Sequence, residues 1–190
     1  IIHFQHDQDG ATLRASEVKP KLDRFIISKM GGKDMMDESW FNNYEKGSLD
    51  YKLRIEQVKP SIYRIPKGEN IGAFFGAMGN DYNLNPRCLS ISGDEIQCTI
   101  IAKSKLFKEE IANFLNNFFA LNNFGMRQSK GFGSFSLLKI GDKVQDFPFG
   151  NFTYTFKLDF ASDVSDISSQ KKIASSIDVF YRSLRSGINL

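Results

Sequence analysis

At 190 residues the chain is long enough for one good core or two small ones, and a hydrophobic fraction of 41% is ordinary for a globular protein. A formal net charge of +3 excludes a strong overall basic field, so any site for a polyanion has to arise from local clustering. Cys88 and Cys98 are too few for a disulfide framework and too far apart for a CxxC metal pair, and no apolar run approaches the roughly 18 residues of a membrane span.

Taken in chain order, residues 1–5 form a short apolar strand, and His6-Asp7-Gln8-Asp9-Gly10 turns the chain. The strand-like opening with no methionine ahead of it suggests a fragment of a longer protein. Val18, Leu22, Phe25 and Ile26 share one face of a helix that starts after Ser16 and is ended by Gly31-Gly32. With Ser16 as N-cap, Pro20 falls barely inside the first turn, where its missing N–H is tolerated. Trp40, Phe41 and Tyr44 read as an aromatic anchor holding a loop to the core. From Asp50 to Val58, apolar Leu53 and Ile55 alternate with charged neighbours, which predicts a half-exposed strand. Residues 68–86, rich in Gly and Asn, read as a loop in which Phe74-Phe75 is a buried plug.

Ile96, Cys98, Ile100 and Ala102 mark a third strand. Ile111, Phe114, Leu115, Phe118 and Phe119 then give the clearest amphipathic helix, stopping at Asn122-Asn123. Residues 134–140 read as the next strand. The order strand, helix, strand, strand, helix, strand predicts an α+β, ferredoxin-like (βαββαβ) lobe over residues 1–145. Alternating aromatics at 152–160, a polar linker at 162–169 and a stripe of Ile173, Ile177, Phe180, Tyr181 and Leu184 predict a strand and helix over 151–190. That pair begins a second lobe or packs as an extension on the first.

The run Gly125-Met126-Arg127-Gln128-Ser129-Lys130-Gly131-Phe132-Gly133 is the most informative stretch. It is not a P-loop, because Lys130 precedes Gly131 instead of following the last glycine. Nor is it a dinucleotide fingerprint, since it follows a helix, leads into a strand and has Ser136 where a third glycine belongs. An RNA-recognition strand opens in the same way, but Ser134 stands where that motif has its first stacking aromatic. Two readings remain. One is a cationic loop whose glycines let backbone amides approach phosphates; the other is a helix C-cap followed by a turn into an edge strand.

Two segments together resemble the RAMP superfamily of CRISPR-associated proteins, most closely its type III effector subunits. Leu13-Arg14-Ala15-Ser16-Glu17-Val18-Lys19-Pro20-Lys21-Leu22 is similar to the turn R-x-x-S-[IL]-[KR]-G-x-L-R that enters that superfamily's first helix, with one extra residue before Val18 and proline where glycine is usual. Residues 125–134 are similar to its loop G-x-[RK]-x-[SR]-[RK]-G-[FY]-G-S after the second helix. The resemblance implies an RNA-binding subunit of a CRISPR interference complex, with guide or guide–target RNA and other effector subunits as partners. It implies RNA contacts at Arg14, Ser16, Lys19, Lys21, Gly125, Arg127, Ser129, Lys130, Gly131 and Gly133. A guide-processing endoribonuclease of the same superfamily, or a protein-interaction domain without RNA, are the alternatives. If the chain is an enzyme, His6 and Asp7 are the catalytic candidates. Asp-x-Asp-Gly is also an ordinary turn sequence. No metal, cofactor or membrane contact is expected, and the composition fits a reducing cytoplasm.

Overall fold

The computed structural model describes residues 13–57, 62–65, 87–90, 96–125, 128, 133–148, 150 and 167–185. The strands read at 1–5 and 152–160, the loop at 68–86 with Phe74-Phe75, and the catalytic candidates His6 and Asp7 lie outside these residues.

The first helix, α1 (Ala15–Lys29), buries Val18, Leu22 and Ile26 along the stripe predicted for it. Its start differs from expectation. Arg14, not Ser16, is the N-cap, in extended conformation, and its carbonyl accepts from the amides of Glu17 and Val18 at 3.0 Å. The earlier start moves Pro20 past the first turn, so the Ser16 carbonyl has no N–H at position 20 to accept from. Pro20→Ala is therefore expected to stabilise the fold by roughly 1–3 kcal/mol, measurable by denaturant unfolding. The C-terminal stop is as expected: Met30 caps the helix, and Gly31 and Gly32 leave it at φ 88° and 114°.

Two single-turn 3₁₀ segments follow, Lys33–Met35 and Glu38–Trp40, and lead into β1 (Phe41–Asn43), which pairs antiparallel with β2 (Ser48–Leu49). Trp40 stacks on Phe107 with ring centroids 5.0 Å apart, and both Trp40 and Phe41 pack on the core. The aromatic cluster thus anchors its loop.

The main ladder pairs β3 (Tyr51–Gln57) antiparallel with β6 (Ile96–Ala102). Its register sets Tyr51 opposite Ala102, Leu53 opposite Ile100 and Ile55 opposite Cys98. These residues are buried or half-buried, while Lys52, Arg54 and Ile101 on the intervening positions are exposed, as a period of two requires. A further antiparallel pair, β4 (Ile62–Ile65) with β5 (Arg87–Ser90), was not apparent in the sequence. Burial pushes the thiol of Cys98 up to about 11.

Helix α2 (Lys105–Leu121) begins at Ser104, whose hydroxyl accepts from the Phe107 amide at 3.3 Å. It buries Phe107, Ile111, Leu115, Phe118 and Phe119, matching the predicted stripe and extending it by one turn. Helix α1 packs on α2 and on β3, and α2 packs on β6, so the core lies between two helices and an antiparallel pair. The strand expected at 134–140 is only partly one. Residues 134–138 alternate exposed and half-buried, with Phe135 and Leu137 on the core, yet strand pairing is confined to β7 (Lys139–Ile140) with β8 (Lys143–Val144). Finally, α3 (Ile167–Arg185) takes in the last residues of the expected linker, and Ile173, Ile177 and Phe180 lie on its less exposed side. The architecture is α+β with small antiparallel sheets.

Candidate functional site

The two motif segments meet in space. Helix α1 carries Glu17 and Lys21 one turn apart on the side that faces the chain leaving α2. Glu17 Oε1 accepts from the Gly125 amide at 2.7 Å, and Lys21 Nζ donates to the Asn123 carbonyl at 2.8 Å and to Gln128 Oε1 at 2.9 Å. Gln128 turns its amide nitrogen back to the Gly125 carbonyl at 2.6 Å, and its own carbonyl accepts from Asn123 Nδ2 at 3.0 Å. Lys21 also sits 3.6 Å from Glu17 and 4.9 Å above the Phe124 ring. The bonds from Glu17 and Lys21 to Gly125, Asn123 and Gln128 join segments more than one hundred residues apart, and they fix these loop residues against α1.

Phe124 and Gly133 form the feet of that loop. Phe124 is fully buried, edge-on or tilted to Phe118, Phe119 and Phe135, and its amide donates to the Gly133 carbonyl at 2.9 Å. Gly125 and Gly133 have φ of 84° and 77°, values that disfavour any side chain. At Gly133 space matters as much as dihedral: a Cβ there would lie 1.7 Å from the Phe124 carbonyl oxygen. Arg127, Ser129, Lys130 and Gly131 lie between these two feet in the sequence and outside the described residues.

Other expected contacts distribute differently around α1. Arg14 is exposed at the helix start and Ser16 is exposed in the first turn. Lys19 faces β2 and β3. Its ammonium is 2.9 Å from Asp23 Oδ2, donates to the Leu49 carbonyl at 2.9 Å and lies 4.2 Å over the Tyr51 ring. Asp23 is itself buried, and its second oxygen and the Tyr51 hydroxyl have no hydrogen-bond partner. Burial, and then the charge of Asp23, hold the Tyr51 phenol well above its ordinary range. Lys19 and Lys21 therefore hold the fold together on opposite sides of one helix. Glu17 and Gln128, which dock the loop, were not read from the sequence. The signal was present as an acid in the first helical turn and an amide inside the loop, but the spacing gave no hint that they meet.

The whole assembly, loop and first-helix turn included, falls within a match to the family model described as the Cmr1 N-terminal domain, which spans residues 1–188. The chain belongs to this Cmr1 N-terminal domain family. The resemblance to RAMP-type CRISPR proteins is thereby borne out, and the family places the chain among subunits of multisubunit type III CRISPR complexes. No curated protein and no solved structure matches. Among the described residues, no helix is long and apolar enough to cross a membrane.

Proposed function

We propose that this Cmr1-family domain is a ferredoxin-like RNA-binding lobe that grips a guide or guide–target strand by its phosphates. The observation that carries the reading is the docking of the glycine loop on α1 through Glu17, Lys21 and Gln128. That docking turns two separate motifs into one surface. The fold reading draws support from the order α1, β3, β6, α2, with β3 and β6 antiparallel and both helices against them. Residues 1–145 constitute the lobe in this reading, and 151–190 an extension of it.

In the proposed grip, Arg127 and Lys130 supply charge, the amides around Gly131 and the hydroxyl of Ser129 approach the backbone, and Arg14 and Ser16 extend the contact onto the start of α1. Lys21 and Gly125 act behind this surface, since their polar hydrogens are engaged by the loop and by Glu17. Contacts of this kind position a strand without reading its sequence. Other subunits of the type III complex complete the path of the RNA.

The test is the salt dependence of single-stranded RNA binding by fluorescence anisotropy. Arg127→Ala combined with Lys130→Ala is expected to weaken binding and to flatten the slope of log K against log salt by roughly 1.4 units, at about 0.7 per phosphate contact. An unchanged slope removes the loop from the grip, and absence of binding at low salt removes the RNA reading.

A further inference from the structure

Beside the docked loop, a groove of about 530 Å³ runs between α1 and the end of α2, lined by Lys21, Arg24, Phe25, Leu121, Asn122, Asn123 and Gln128, whose side-chain oxygen is taken up by Lys21 and whose amide nitrogen by the Gly125 carbonyl. Its volume falls within the roughly 300–1,000 Å³ of small-ligand sites. The polar groups in it are sorted by sign. Asn122 Nδ2 donates to the Phe118 carbonyl at 2.8 Å and Asn123 Nδ2 donates to the Gln128 carbonyl at 3.0 Å. A backbone carbonyl only accepts, so each amide is oriented by its NH₂ group and each Oδ1 is left as an acceptor. The last carbonyls of α2 add partial negative charge, and no basic residue stands in that helix's last turn to offset it.

The α1 side is cationic. Arg24 is exposed, anchors Nε to the Pro20 carbonyl at 3.1 Å and has no acidic partner among the described residues. Its remaining guanidinium N–H groups are thus available to an anion. Between the two sides lie apolar surfaces: Leu121, which is 44% exposed, and the half-buried ring of Phe25. A ligand that fits must offer hydrogen-bond donors to the α2 end, a flat apolar face to the middle and an anion to α1.

We propose that this groove is a subsite for one unstacked nucleotide of single-stranded RNA, with an amino-bearing base at Asn122 and Asn123 and its phosphate on Arg24. The proposal rests on the RNA-binding reading above and adds base preference at one position to it. Single-stranded RNA is read in this way elsewhere, by splayed bases laid on aromatic or guanidinium planes with their edges hydrogen-bonded. Cytosine presents an N4 amino donor where uracil presents a carbonyl, and two acceptor oxygens at the α2 end distinguish them.

The experiment compares oligocytidylate and oligouridylate of equal length by anisotropy on the unaltered chain. Oligocytidylate is expected to bind about fivefold more tightly, the effect of one net hydrogen bond. Arg24→Ala is expected to weaken both ligands alike and to flatten both salt slopes by about 0.7. Asn122→Leu with Asn123→Leu is expected to abolish the preference while oligouridylate still binds. Equal affinity of the unaltered chain for the two ligands overturns the subsite and leaves the phosphate grip standing. Failure of both to bind overturns the RNA reading, and the subsite with it.

Discussion

Gly133→Ala is expected to destabilise the domain by roughly 3–5 kcal/mol, the range reached when a single substitution combines backbone strain with a steric clash. Two costs coincide at this position. With φ at 77°, any L side chain sits in the left-handed region, which costs about 1–2 kcal/mol. In addition, the new methyl carbon would fall 1.7 Å from the Phe124 carbonyl oxygen and 2.7 Å from its carbonyl carbon. The obstacle is backbone, held by a ring at the centre of the aromatic cluster, so it has no flexible end to swing aside. Relief requires breaking the bond between the Phe124 amide and the Gly133 carbonyl, which opens the base of the loop.

Gly141→Ala supplies the control. Gly141 also has a positive φ, 58°, but a Cβ there meets nothing within 4 Å. Its substitution is expected to cost about 1 kcal/mol, the dihedral component alone. The difference between the two variants in denaturant unfolding isolates the clash. If Gly133→Ala costs no more than Gly141→Ala, the loop base is not built as described. RNA binding provides a second readout, because opening the base is expected to abolish it even at temperatures where α1 and α2 remain folded.

Where sequence and structure agree, the reason is periodicity. The stripes of Val18, Leu22 and Ile26 and of Ile111, Leu115, Phe118 and Phe119 are local, repeat many times within one element, and require only that one face be buried. The strand at 96–102 and the one beginning near Asp50 were legible from alternation. Elements held by few or distant bonds were not. Residues 134–138 have the alternation of a strand, and their side chains reach the core, but alternation says nothing about whether a neighbour supplies the ladder. The pairing of β4 with β5 joins segments on either side of the stretch read as a loop at 68–86, and a connection of that length fixes neither partner nor register. The start of α1 was misread because Ser16 is a good capping residue; the backbone turns in two residues earlier, at Arg14, which caps with no side-chain bond. Glycine at 125 and 133 marked the loop, yet its docking by Glu17 and Gln128 depends on tertiary contact between segments whose spacing carries no information about one another.

The lysines of α1 illustrate the same limit, and they yield the second large effect. Lys19→Met is expected to cost roughly 3 kcal/mol, as expected for breaking one side of a buried ion pair. In the sequence the residue stands among Arg14, Lys21 and Arg24, which invites the reading of a solvated or RNA-facing charge. In the fold its side chain is 26% exposed and that of Asp23 8%, so the pair is shielded enough from solvent for its loss to be felt. Asp23 keeps one other donor, the Leu49 amide at 3.4 Å, and its second oxygen has no partner. Methionine keeps most of the side chain's length but removes the ammonium that lies over Tyr51, leaving a buried carboxylate uncompensated. Adding Asp23→Asn to Lys19→Met removes that charge as well and is expected to recover most of the loss. Recovery identifies the penalty as electrostatic; a double variant as unstable as Lys19→Met alone would assign it to lost packing instead. The recovered double variant also separates structure from binding. With its ammonium held between Asp23, the Leu49 carbonyl and the Tyr51 ring, Lys19 faces away from the glycine loop, and its removal is expected to leave the salt slope of RNA binding unchanged. A slope flattened by about 0.7 would return Lys19 to the grip and extend that surface across α1.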